Sequence, residues 1–186
     1  NKNPDNIPNV KNILNIRLDL LNQQSITSFV NYLKNVKGKI KRIFLVGAIP
    51  GFQTPDLSFS QKPTIEDMIK FSTANCFSYI KLLSEIINKS MIQEDCKICV
   101  LSSLAGSTTL RGKLIHNKPG GNLPYRISKA ALNCAVKNIA YDLKEIYPKL
   151  IIFSLHPGWV QTFSTGTQPE IKAKDSAFQI FELMNK

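Results

Sequence analysis

Residues 125–162 read YRISKAALNCAVKNIAYDLKEIYPKLIIFSLHPGWVQT, and the spacing divides them into three pieces. From Tyr125 to Ile146 the apolar residues recur at helical steps, and Pro148 ends the run because it offers no N–H and fixes φ. Leu150 to Leu155 is a short apolar run of strand type, closed by the turn His156-Pro157-Gly158. A helix feeding a buried strand is one αβ unit, and the same unit recurs upstream. Lys97 to Leu101 predicts a strand ending in Ser102-Ser103, followed by a polar loop from about Gly106 to Leu123. Before it, Thr64 reads as an N-cap with Glu66 and Asp67 in the first turn. That helix carries Ile65, Met68, Ile69, Cys76, Tyr79, Ile80, Leu83, Ile86 and Ile87 on one stripe. Gly51 to Pro63 is loop. Lys41 to Ala48 predicts a strand, Ser25 to Val36 a helix with Ile26, Phe29, Val30 and Leu33 on one face, and Ile13 to Leu20 a first strand. A short helix through Phe178, Ile180 and Phe181 closes the chain from Gln168 onward.

Alternation of strand and helix predicts an α/β fold, a three-layer arrangement with a parallel sheet between helices and right-handed crossovers. In such sheets ligands bind beyond the carboxyl ends of the strands. Asp19, Ser102-Ser103 and His156-Pro157-Gly158 all fall at those ends, so one pole of the sheet collects the polar chemistry. Residues 1–186 read as a single domain, without repeat or low-complexity tract.

Composition narrows the function classes. Hydrophobic residues make up 43% and charged residues 20%, enough apolar material for a packed core and unlike a disordered chain. No apolar run reaches the roughly 18 residues that would span a bilayer. Four cysteines are too few for a disulfide scaffold and fit a reducing compartment, here the cytoplasm. The net charge of +11 comes largely from lysine, with its densest cluster (Lys34, Lys37, Lys39, Lys41, Arg42) around Gly38. No nucleic-acid motif accompanies it, so it reads as a solvated turn. Cys96-Lys97-Ile98-Cys99 lies in a strand, where residues three apart face opposite ways, and no second pair completes a zinc site. His116 and His156 have no partners at ligand spacing, and no metal is expected.

Tyr125 and Lys129 stand at i and i+4, on one face of the helix and one turn apart. Alone the pair is weak; with Ser102-Ser103-Leu104-Ala105-Gly106-Ser107 at one strand end, HPGWVQT (156–162) at the next and Asn75 in the preceding helix, it carries a resemblance. The chain resembles the short-chain dehydrogenase/reductase superfamily. YRISKAALN (125–133) and HPGWVQT are more narrowly similar to the C-factor/sniffer-type carbonyl reductases. The 22-residue step from Ser103 to Tyr125, with an extended loop holding Lys113, His116 and Gly120-Gly121, fits that narrower group.

The resemblance implies NADP(H)-dependent reduction of a carbonyl to an alcohol. Asn75, Ser103, Tyr125 and Lys129 would be catalytic. Tyr125 would give the proton and Ser103 would hold the substrate oxygen. Lys129 would lower the phenol's pKa and bind the nicotinamide ribose. Asn75 would hold a water linking Lys129 to solvent. Cofactor contacts would come from Lys2, Asp19, Leu20, Tyr125, Lys129, Pro157, Gly158, Val160 and Thr162. Lys2 would face the 2′-phosphate that favours NADP(H) over NAD(H), and Asp19 the adenine amino group. The resemblance further implies a small-molecule carbonyl or alcohol substrate and a homo-oligomer, dimer or tetramer, built on the two long helices.

Three departures stand against it. The turn T-G-x-x-x-G-x-G expected before Lys2 is absent, Val46-Gly47-Ala48-Ile49 replaces N-N-A-G, and the sequence stops soon after Phe181. The expectation is therefore a Rossmann-like sheet lacking strand 1 and the last strand, from a reductase incomplete at both ends. The rival is a catalytically inactive remnant of the fold serving as a binding or scaffold protein.

Overall fold

A strand buried on both faces sets the centre of the sheet. β2 (Ile92–Leu101) encloses Cys96, Ile98, Cys99 and Val100 completely, with helices packed over the sheet. It pairs in parallel with β1 (Ile40–Leu45) on one side and β3 (Ile151–Leu155) on the other, in the order β1-β2-β3. Arg42 lies opposite Lys97 and Leu45 opposite Val100; Lys97 in turn faces Ile151 and Leu101 faces Leu155. All three carboxyl ends therefore meet at one pole, as the alternation predicts. This computed structural model describes residues 13–51, 58–113, 121–161 and 170–186.

α1 (Gln23–Lys34) is capped by Asn22, whose side chain accepts from the Ser25 N–H, and buries Ile26 and Val30. α2 (Ile65–Ser72) runs through a π-helical turn, Thr73–Phe77, into α3 (Ser78–Asn88). Of the expected stripe on this composite helix, Cys76, Tyr79, Leu83, Ile86 and Ile87 are buried, joined by Phe71 and Leu82. Ile65 and Ile69 in the first turns are exposed, so the inward face there is set by Phe71 instead. α4 (Leu123–Asp142) crosses beside it, burying Leu132 and Val136. Downstream, β4 (Val160–Gln161) and β5 (Ile171–Lys172) form a small parallel pair that leads into α5 (Ala173–Asn185).

The predicted N-cap is present in full. Thr64 Oγ1 accepts from the Asp67 N–H at 3.1 Å, and Asp67 Oδ2 accepts from the Thr64 N–H at 3.0 Å, a reciprocal capping box. Thr64→Ala is expected to destabilise the protein by about 1 kcal/mol, read as a lower midpoint in urea with an unchanged slope.

One predicted strand does not form. Residues 13–20 pair with no strand, and Ile13, Leu14 and Ile16 are exposed. A strand needs a neighbour to complete its ladder, and the described sheet ends at β1. The β1 edge is itself unpaired among the described residues, with Phe44 and Val46 exposed. Other differences lie at element ends: β2 begins five residues earlier than its apolar run, because Ile92 joins the core opposite Ile40. The long helix ends at Asp142, and turns carry the chain from there to Pro148. Cys96 and Cys99 are both buried, and burial raises each thiol to about 11, away from ready thiolate chemistry.

Candidate active site

The start of α4 is fixed by Asn122, whose Oδ1 accepts from the Tyr125 N–H at 2.9 Å, with Pro124 in the first turn. Tyr125 thereby stands in the opening turn of a helix whose next turn carries Lys129. Lys129 is 2% exposed, and its Nζ lies 5.9 Å from the centre of the Tyr125 ring. The ammonium donates to the Leu101 carbonyl at 2.9 Å, which ties the helix to the carboxyl end of β2. Burial pulls it down from 10.5 to about 8.

Directly after β2, the two serines diverge. Ser102 continues the ladder, its N–H donating to the Leu155 carbonyl at 2.7 Å, and its hydroxyl donates to Asn133 Oδ1 at 2.6 Å. Ser103 opens a 3-10 turn (Leu104–Gly106), accepting from the Ala105 N–H, and its side chain lies near enough to the Tyr125 hydroxyl to favour the phenolate. Serine, phenol and ammonium thus converge where β2 ends.

The electrostatics differ from the expectation in one respect. The Tyr125 phenol stands above its ordinary 10, because burial outweighs the proximity of Ser103 and the charge of Arg126. Lys129 does not depress it here: the ammonium is held at the Leu101 carbonyl, over the ring rather than at the hydroxyl.

Asn75 lies in the π-helical turn and is completely buried. Its Oδ1 accepts from the Ile49 N–H at 2.7 Å, and its Nδ2 donates to the Ile49 carbonyl at 3.1 Å and to Ser128 Oγ at 3.0 Å. Its side chain is therefore committed to the loop after β1 and to α4. Ser128 passes the link on, donating to the Tyr125 carbonyl at 2.7 Å. Sequence reasoning missed Ser128; the signal was a small polar residue on the inner face of α4, one step before Lys129.

The proposed cofactor residues fall in three groups. Asp19 sits in the turn before α1, its carboxylate accepting from the Leu21 N–H at 2.9 Å while its own N–H donates to Ser25 Oγ. Leu20 accepts from the Ser78 hydroxyl and lies against Gly47, at the β1 end of the same pole. Pro157, Gly158 and Val160 follow β3: Pro157 accepts from the buried Ser176 hydroxyl at 2.7 Å, Gly158 has φ +84°, and Val160 opens β4. Lys2, His116 and Thr162 lie outside the described residues. Among the described residues no group of three or more His, Cys, Asp or Glu lies together, and no helix is long and apolar enough to cross a membrane.

The chain has a parallel sheet flanked by helices, the fold of short-chain dehydrogenase/reductase structures, with Ser103, Tyr125 and Lys129 at the carboxyl pole of that sheet. Comparison with known proteins shows what the chain is similar to. It is 34% identical over 110 residues to C-signal of Myxococcus xanthus, covering 59% of this chain and 61% of the relative. The carbonyl reductase Sniffer of D. melanogaster superposes with a TM-score of 0.69 at 25% identity, covering 92% of this chain and 69% of that one. The NADPH-bound carbonyl reductase from chicken fatty liver superposes with a TM-score of 0.71 at 23% identity, covering 90% and 67%. The resemblance to C-factor and sniffer-type proteins thus holds in both sequence and fold. No family model matches the chain. The chain spans about three fifths of the length of the curated relatives it matches, 61% of each.

Proposed function

We propose that the chain belongs to an NADP(H)-dependent oxidoreductase that reduces a small-molecule carbonyl to an alcohol. The observation that carries this reading is the meeting of Ser103, Tyr125 and Lys129 at the end of β2, with Ser103 near enough to the phenol to lower its pKa and the Lys129 ammonium over its ring. Names of similar proteins support it: one is a carbonyl reductase bound to NADPH.

The donor set fits a nicotinamide nucleotide. Lys129 has three N–H groups, and the Leu101 carbonyl is its acceptor among the described residues, which leaves donors for sugar hydroxyls. When bound, the nicotinamide supplies the hydride. Tyr125 then delivers the proton to the developing alkoxide, and Ser103 donates to the same oxygen and stabilises its charge. Asn75 acts through the backbone of Ile49 and through Ser128, and a water beside it would return the proton. Asp19 and Leu20 would meet the adenine end, Pro157, Gly158, Val160 and Thr162 the nicotinamide amide, and Lys2 the 2′-phosphate.

A second reading rests on Val46-Gly47-Ala48-Ile49, where catalytic relatives are expected to carry N-N-A-G: the same fold kept as a non-catalytic binding protein. Titration of NADPH against the chain, followed by cofactor fluorescence, together with NADPH oxidation in the presence of aldehydes and ketones, separates the two. Saturable binding with carbonyl-dependent oxidation is the expected result. Absence of oxidation across the carbonyl panel would leave the binding reading in its place.

A further inference from the structure

We infer that the loop after β1 is a brace that sets the position of the Tyr125 ring, with Gly51 as the positioning residue at the contact. Three observations converge on it. A Cβ built on Gly51 would fall 2.9 Å from Tyr125 Cδ1, 3.0 Å from Cγ and 3.3 Å from Cβ, so the glycine backbone lies flat against the ring. The loop cannot retreat easily, because Asn75 holds both the N–H and the carbonyl of Ile49 and the Tyr79 hydroxyl donates to the Gly47 carbonyl. The other side of the arrangement is equally close: a Cβ on Gly106 would fall 2.6 Å from the Lys129 carbonyl carbon, within the backbone of α4. The 3-10 turn headed by Ser103 is thus pressed onto the helix that carries Tyr125. Gly51 meets the Tyr125 ring and Gly106 the helix backbone one turn further on, so the placing of the phenol beside Ser103 depends on both contacts.

Gly106 abuts backbone, so its replacement would disturb folding; Gly51 abuts a side chain, whose displacement leaves the helix backbone in place. In Gly51→Ala the ring must give way by several tenths of an ångström, moving the hydroxyl relative to Ser103, whose proximity favours the phenolate. This inference rests on the reading of Tyr125 as proton donor, so its test includes a measurement that needs no turnover. The chain has five tyrosines. Labelled with [13Cζ]tyrosine, its Tyr125 resonance is assigned by its loss in Tyr125→Phe, and its titration is followed by NMR. The expected result is a displaced Tyr125 resonance and a midpoint raised by about half a unit in Gly51→Ala. Gly47→Ala serves as the control, since its Cβ meets only ordinary contacts at 3.5 and 3.6 Å and its φ is not positive. Carbonyl turnover in Gly51→Ala should fall by roughly tenfold at unchanged KM for NADPH. A Tyr125 resonance and midpoint in Gly51→Ala identical to those of the parent protein would overturn the brace. If the parent protein reduces no carbonyl, the reductase reading fails, while the shifted titration still supports the brace.

Discussion

Tyr125→Phe is expected to lower carbonyl turnover by about 10²–10⁴-fold, the range for losing a positioned general acid, while NADPH binding changes little. The substitution removes one oxygen and leaves the ring that Gly51 and Lys129 pack against. Ser103 keeps its bond from the Ala105 N–H, so the turn that carries it has an anchor besides the phenol. The loss should therefore fall on kcat, with KM for NADPH nearly constant. In the parent protein the phenol remains protonated through neutral pH, since burial holds it above 10. That is the form needed to donate a proton in reduction. Steady-state rates of NADPH oxidation for the two proteins check the point, and equal kcat would remove Tyr125 from the chemistry.

The second large effect concerns stability. Lys129→Met should outlast the parent protein in urea at pH 7, and the gap should narrow by about 3 kcal/mol as pH rises from 7 to above 10.5. Lys129 is 2% exposed, and its folded pKa, about 8, lies below its ordinary 10.5. Between those values the unfolded chain holds a proton that the folded chain has released. Stability therefore rises with pH across that window, and it is lowest where the buried ammonium stays charged, below about 8. Methionine has no such charge, so the variant lacks this dependence. Cys96 and Cys99 act oppositely: raised from 9.0 to about 11, they stay protonated in the fold after the unfolded chain has lost those protons. Their contribution is common to both proteins and cancels in the difference. A gap that stays constant from pH 7 to 10.5 would show that Lys129 is hydrated in solution.

The residues that sequence periodicity could find are those whose burial is decided locally. The stripe from Cys76 to Ile87, the strand through Cys96 to Val100, and the Thr64–Asp67 cap follow from spacing, since each depends on neighbours within one or two turns; the expected burial of Ile65 and Ile69 does not hold. Ile13 to Leu20 has the same strand-like pattern but no partner in the described sheet, and pattern alone does not supply one. Asn75 could be singled out by its place in the motif order. Its engagement with Ile49, 26 positions away, could not be read from spacing, and neither could the departure of the helix into a π-turn around it. Ser128 and Gly51 belong to the same class: each looks ordinary until α4 and the loop after β1 are brought together.

The sequence alone determined the layered α/β class and the order of most strands and helices, and its resemblance pointed to Ser103, Tyr125 and Lys129 at one pole. The class and order depend on hydrophobic period, and the tyrosine–lysine pairing on an i, i+4 step, both short-range. Only the tertiary structure decided that Ser102 is tied to Leu155 and Asn133, and where the Lys129 ammonium is anchored. It alone also decided that burial raises the Tyr125 pKa. Those are properties of contacts between β2, α4 and the loop after β1, and desolvation exists only once such contacts have closed.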